Sequence, residues 1–83
     1  MYAVYILKCR DGSLYTGIAK DLEDRLKKHN EGKASKYTRG RLPVSCVYSE
    51  KKRSLSAALK REIEIKSWER AKKMALTKRT GSP

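Results

Sequence analysis

The sequence predicts an α/β fold of the α+β type: a three-stranded antiparallel sheet with its first strand central, flanked by two to three helices. Three observations predict it. Residues 2–9 and 14–19 are rich in β-branched, aromatic and long apolar types and are joined through Asp11-Gly12, a dipeptide that favours a tight hairpin turn. Side chains alternate across a strand, so Tyr2, Val4 and Ile6 share one face of the first segment and Ala3, Tyr5, Leu7 and Cys9 the other. Both faces are apolar, as expected of a strand covered on each side and therefore in the middle of its sheet. Beyond the hairpin, apolar residues recur at helical spacing in further stretches, with one more short strand between them.

In chain order, Asp21 supplies a side-chain acceptor for a helix N-terminus, and Leu22, Arg25, Leu26 and His29 recur at helical spacing up to Asn30. Asn30-Glu31-Gly32 closes that helix. Arg25 and His29 lie one turn apart, near the edge of the face that meets the sheet, where they can reach a site. Residues 31–43 have no clear period, contain two glycines and a proline, and carry Lys33, Lys36, Arg39 and Arg41 around Tyr37. They are expected to form a basic loop that contacts phosphates. Val44 to Tyr48 alternates as a third strand, with Pro43 at its start, where a missing N–H is tolerated. Ser54 or Ser56 caps a second helix running to about Ser67, with Leu55, Ala58, Leu59, Ile63 and Ile65 as its apolar side. Trp68 to Leu76 suits a short third helix with Trp68, Ala71 and Ala75 on one side. Residues 77–83 lack an apolar pattern and are expected to fray as a basic tail behind a single domain spanning 1–76.

A chain of 83 residues has room for one domain, and its formal net charge of +12 exceeds what solubility needs. Such an excess points to a polyanionic partner, with nucleic acid first among the choices. No apolar run is long enough to span a bilayer, and no signal-peptide or lipidation pattern is present, so a soluble, cytoplasmic protein without a membrane role or an obligate protein partner is expected. Cys9 and Cys46 lack metal-ligand or redox spacing and are expected to be free, buried thiols.

Glu62 is the most informative residue of the second half. It follows Leu55 by seven, Ala58 by four and Leu59 by three positions and precedes Ile65 by three, so helical geometry puts it on the apolar stripe. An ionised carboxylate there needs a cation, and the residues leave open an ion pair with an arginine such as Arg25 or a metal-ligand role. Glu64 is expected to face solvent.

Ala3-Val4-Tyr5, the ten-residue step from Tyr5 to Tyr15, Tyr15-Thr16-Gly17, Arg25-x-x-x-His29 and Glu62-x-x-Ile65-Lys66 together resemble the GIY-YIG nuclease superfamily, and within it the small, stand-alone bacterial branch. The likeness runs over about residues 2–76 and includes Tyr37 to Val44. The chain departs from the motif at Ala3, where the family name has glycine, and at Thr16, where it has isoleucine. The resemblance implies the sheet described above and a divalent-metal-dependent endonuclease acting on DNA, with RNA as the alternative. It makes Glu62 the one protein ligand of a Mg²⁺ or Mn²⁺ ion, Tyr5 the general base, Tyr15 a hydrogen-bond partner of the attacking water or scissile phosphate, and Arg25 the group that stabilises charge on that phosphate. A free tyrosine titrates at about 10, so the base role leads one to expect Arg25, the metal and the basic surface to favour phenolate. His29 is implied to orient or deprotonate Tyr5. Lys66, one turn after Glu62, is expected to assist phosphate binding or to complete a surface ion pair. A different class of function uses the same basic surface, with Tyr37 stacking on bases, as a non-catalytic nucleic-acid-binding module. A third is a basic protein that docks an acidic partner.

Overall fold

The computed structural model describes residues 1–80. In chain order the elements are β1 (Tyr2–Lys8), β2 (Leu14–Ala19), α1 (Leu22–Asn30), α2 (Lys36–Arg39), β3 (Ser45–Lys52), α3 (Leu55–Lys66) and α4 (Arg70–Thr80). The strands form one antiparallel sheet in the order β2-β1-β3, with β1 central as its two apolar faces predict. The hairpin turn works through two local devices. Gly12 takes φ 86°, which a side chain would strain, and the Asp11 carboxylate accepts from the Ser13 N–H and hydroxyl.

The alternation read from β1 divides the core. Val4 and Ile6 pack with Tyr48, Ala58 and Ile65, backed by Trp68 and Leu76, under α3 and α4. Tyr5, Leu7 and Cys9 pack with Ala19 and Val44, backed by Leu22 and Leu26 of α1. Asp21 caps α1 by accepting from the Asp24 N–H. At the other end of that helix the Asn30 side-chain amide donates to the Val44 carbonyl and accepts from the Val44 N–H. That two-way bond pins α1 to the start of β3 and fixes where His29 stands.

The structure departs from expectation in five places, each for a local reason. β3 continues to Lys52 because β1 supplies its ladder out to the Tyr2–Lys52 pair, so pairing persists where the apolar pattern has ended. A bulge between Ile6 and Leu7 leaves Val47 unmatched and turns Tyr48 to the α3 side. Inside the predicted basic loop, Ser35 caps the one-turn helix α2, which is too short to leave a period in the sequence. On α3 only Ala58 and Ile65 are buried, whereas Leu55, Leu59 and Ile63 are 47, 44 and 67% exposed. The small Ala58 seats the helix on the sheet and leaves Leu55 and Leu59 on its flank. Finally, α4 starts at Arg70 and runs through Thr80, so residues 77–80 are helical rather than frayed, and the rest of the expected tail, 81–83, lies outside the described residues. Its inward side carries Leu76 and Thr77, with Ala71 and Ala75 exposed. Trp68 precedes it, lying between the Arg61 and Lys72 side chains. Cys9, just past β1, is buried and Cys46 half-buried, both as free thiols. Among the described residues no helix is long and apolar enough to cross a membrane.

Candidate active site

A groove of about 490 Å³ opens where the sheet ends at β2. Tyr5, Tyr15 and Gly17 form its floor, Arg25 of α1 stands on one side, and Glu62 and Leu59 of α3 on the other. Three predicted residues, Tyr5, Tyr15 and Arg25, and the Glu62 carboxylate of α3 therefore share one cleft, and His29 stands directly behind Tyr5.

Tyr5 faces Gly17 across the β1–β2 ladder. A Cβ on Gly17 would lie 2.6 Å from Tyr5 Oη and 2.8 Å from its Cζ, closer than real packing allows. The glycine is thus the seat of the Tyr5 ring, a role that strand propensity alone cannot reveal. Tyr5 is 1% exposed and its hydroxyl lies 2.9 Å from His29 Nε2. On the far side of the imidazole, Nδ1 lies 2.9 Å from Thr38 Oγ1, and the Thr38 hydroxyl donates to the Ser35 carbonyl at 3.3 Å. His29 and Thr38 are both buried. The Tyr15 ring lies 5.2 Å from the His29 ring, edge to face, and 6.4 Å from that of Tyr5.

Burial decides the protonation of this cluster. It pushes the Tyr5 phenol up to about 12; Tyr15 and then Glu62 add to the rise, and Arg25 pulls the other way without overcoming it. Within the protein alone, desolvation outweighs the single guanidinium of Arg25. Burial likewise lowers the His29 pKa, with the charge of Arg25 acting in the same direction. At neutral pH the pair is a phenol and a neutral imidazole.

Glu62 is 18% exposed at its side chain and pairs with Lys66 at 3.3 Å, one helical turn on, where Lys66 is 52% exposed. The carboxylate meets this lysine rather than Arg25, so the ion-pair half of the sequence reading holds with a different and more solvated partner. Glu64 is exposed and pairs with Arg61. Among the described residues no group of three or more His, Cys, Asp or Glu could enclose a metal ion. A single hard oxygen donor on an open groove suits an ion that keeps most of its own waters and takes further oxygens from substrate, the habit of Mg²⁺. The donor set therefore fits the ion that the resemblance implies.

The basic loop divides into two kinds of residue. Lys33, Lys36 and Arg39 are exposed, whereas Arg41 turns back, with its Nε 3.0 Å from Asp11 Oδ2 and Nη1 donating to the Tyr37 carbonyl at 2.7 Å. Its guanidinium lies 4.1 Å from the centre of the Tyr37 ring, which stacks on Tyr15 at 5.9 Å and 28°. Tyr37 itself is 40% exposed. Gly17 and Thr38 are the site residues that sequence reasoning did not assign. Gly17 carries a signal, being the glycine of the Tyr15-Thr16-Gly17 motif; Thr38 carries none, standing in a polar stretch without period.

Comparison with known proteins agrees with this geometry. A family profile described as the GIY-YIG catalytic domain matches residues 1–75. The chain is 57% identical over 75 residues to a UPF0213 protein of Staphylococcus aureus, covering 90% of this chain and 92% of that one. It is 58% identical over 73 residues to a UPF0213 protein of Staphylococcus saprophyticus, covering 88% and 89%. The solution NMR structure of a UPF0213 protein from Bacillus halodurans superposes with a TM-score of 0.64 at 45% identity, over 100% of this chain and 89% of that one. A solution NMR structure of an Enterococcus faecalis protein gives 0.60 at 39% identity, over 87% and 77%.

Proposed function

We propose, from the premise that this chain belongs to the GIY-YIG catalytic domain family, a nuclease superfamily, that it is an endonuclease hydrolysing phosphodiester bonds in DNA, with RNA as the alternative substrate, in the cytoplasm. The observation that carries the reading is the 2.9 Å hydrogen bond between Tyr5 and His29 at the floor of a groove that also presents Arg25 and Glu62. A binding surface has no use for a neutral phenol–imidazole pair beside a carboxylate.

The residues divide the work as follows. The attacking water gives its proton to Tyr5 Oη while the phenol's own proton passes to His29 Nε2, so the hydroxide forms its bond to phosphorus without a free phenolate ever being needed. That concerted transfer accommodates a phenol held near 12. Arg25 meets the charge growing on the phosphate oxygens, and Tyr15, braced by Tyr37, donates to the phosphate or holds the water. The leaving oxygen departs opposite the hydroxide and takes a proton from solvent. Glu62 would hold one Mg²⁺ or Mn²⁺ ion, which when bound supplies charge neutralisation at the scissile phosphate. Lys33, Lys36 and Arg39, exposed on the basic surface, would contact the nucleic-acid backbone. Lys66, which pairs with Glu62, would contact phosphate.

The test is purified protein against duplex, branched, nicked and single-stranded DNA and RNA with Mg²⁺, Mn²⁺ or chelator. Cleavage that needs metal and is lost in Tyr5→Phe and Glu62→Gln supports the proposal. Salt-sensitive binding without cleavage of any of these substrates would leave a binding module in its place.

A further inference from the structure

Thr38 is fully buried, and its hydroxyl stands between the Ser35 carbonyl and His29 Nδ1. A carbonyl oxygen only accepts, so the Thr38 O–H points to Ser35 and its oxygen is left with lone pairs toward the imidazole. Reversing that O–H would set two oxygens lone pair to lone pair at 3.3 Å, away from water. Nδ1 must then carry the ring hydrogen, and Nε2 is bare. A bare Nε2 accepts, so the hydrogen between it and Tyr5 belongs to the phenol. The chain Tyr5 to His29 to Thr38 to Ser35 therefore runs in one direction, each group donating to the next, and ends on backbone.

We infer that Thr38 is a positioning residue that holds His29 in its Nδ1–H tautomer and thereby turns the lone pairs of Tyr5 toward the groove. In the other tautomer, Nε2–H would donate to Tyr5, and the phenol hydrogen would point into the groove, where it would repel the water proton it has to receive. The tautomer thus decides whether Tyr5 is an acceptor or a donor at the groove. Ser35 serves the same end twice: its side chain caps α2 and its carbonyl terminates the chain. The consequence for catalysis rests on the nuclease reading; the tautomer itself does not.

The test has two arms, of which the first needs no turnover. Long-range ¹H–¹⁵N correlation spectra of the whole protein, which has a single histidine, report which imidazole nitrogen is protonated. Nδ1–H is expected in the wild type and in Thr38→Ser, and a shift to Nε2–H or to a mixture in Thr38→Val, which replaces the hydroxyl with a methyl of similar size. Nε2–H in the wild type overturns the inference even if the valine variant does not fold, and so does a folded valine variant with an unchanged tautomer. The second arm is cleavage of whichever oligonucleotide of the panel the wild type cuts. Thr38→Val is expected to lower kcat by roughly 100-fold, the low end of what general acid–base catalysis contributes, with KM little changed. Thr38→Ser should restore it. A valine variant with altered tautomer and undiminished kcat would refute the role in turning Tyr5, whereas a wild type that cuts nothing refutes the nuclease reading and leaves the spectra to decide the tautomer.

Discussion

Replacing Gly17 with alanine adds one methyl group to a strand and is expected to damage both fold and site. Backbone strain is absent from the calculation, since Gly12 and Gly32 are the glycines with positive φ among the described residues. Alanine in a strand interior is in fact favoured over glycine by about 0.5–1 kcal/mol through the unfolded chain. Against that stands the new Cβ at 2.6 Å from Tyr5 Oη, 2.8 Å from Tyr5 Cζ and 3.0 Å from Tyr15 Cε2. Tyr5 cannot swing into solvent, because its ring is buried and its hydroxyl is held by His29. Overpacking of this kind costs roughly 1–3 kcal/mol, and breaking the buried hydrogen bond adds about 1–3 kcal/mol if the imidazole nitrogen is left unpaired. The net destabilisation is about 1–5 kcal/mol, which for a domain of this size lowers Tm by at least about 4 °C. Thermal unfolding by circular dichroism measures the single variant, and a double-mutant cycle identifies the cause. Tyr5→Leu removes both clashing atoms, so Gly17→Ala should cost far less in that background, with a coupling of about 1–3 kcal/mol. Tyr5→Phe removes Oη and leaves Cζ at 2.8 Å, so its relief should be partial. A Gly17→Ala protein with wild-type Tm, or costs that simply add, would refute the claim that this glycine exists to seat the tyrosine.

Four further outcomes follow from the same geometry. Glu62→Gln breaks a half-solvated pair with Lys66 worth about 0.3–0.5 kcal/mol, so Tm without metal should move by less than about 4 °C while cleavage is lost; a fall beyond about 12 °C would make Glu62 a structural ion-pair partner instead. In the pH–rate profile the acid limb should lie below the ordinary histidine value of 6.5, because the lowered pKa keeps His29 neutral and able to accept the phenol proton; a limb above 7 would remove His29 from that role. At the alkaline end, Tyr5 is raised from 10.0 to about 12, so the folded state keeps its proton longer than the unfolded one. That stability is fully present below pH 10 and is lost as pH rises toward 12, a slope that Tyr5→Phe should flatten in urea unfolding measured across that range. On the basic surface, Lys36→Ala and Arg39→Ala should each reduce the log–log salt slope of oligonucleotide binding by about one, whereas Arg41→Ala should chiefly loosen the Tyr37–Tyr15 stack, visible in aromatic NOEs. Equal slopes for all three variants would return Arg41 to the backbone-contacting set.

The sheet was legible because β1 advertises itself twice, by the Asp11-Gly12 turn and by apolar residues on both faces, and tertiary packing follows that alternation without exception. Helix α1 was equally plain, since its cap, stripe and Arg25–His29 step are local facts. The flank of α3 was not. Leu55, Leu59 and Glu62 share a stripe in any helical projection, but a projection cannot say whether the stripe meets a core or an open cleft. Ala58 settles that by letting the helix seat on its narrow side, and nothing in the spacing marks one apolar position as the seat. Thr38 and Tyr37 were hidden for another reason: their partners, His29 and Tyr15, lie 9 and 22 positions away, and a single turn of helix carries no period. Charge misled in one respect. A net +12 suggests that any tyrosine is surrounded by cations, yet the ionisation of Tyr5 is governed by the few ångströms of packing around its ring.

The position of β2 explains how so short a chain assembles a site from both sides of its sheet. Tyr5, Tyr15, Gly17, Arg25 and His29 all belong to the α1 side, the floor residues by strand alternation and the other two by the helix above them. Glu62 belongs to α3, which covers the opposite face along with Val4, Ile6 and Ile18. Through the middle of a sheet these two sets could never meet, since a layer of backbone separates them. They meet at β2 because it is an edge, and the groove wraps around it from Arg25 to Glu62. A further strand added beyond β2 would fill that groove, so the open edge is a requirement of the site rather than an unfinished sheet. Open edges invite pairing with other chains, and here the edge is short and is followed directly by Lys20, whose ammonium lies 5.7 Å from the centre of the Tyr2 ring on the α3 side. The same cation that discourages a neighbouring strand also lines the groove and gives it a positive end.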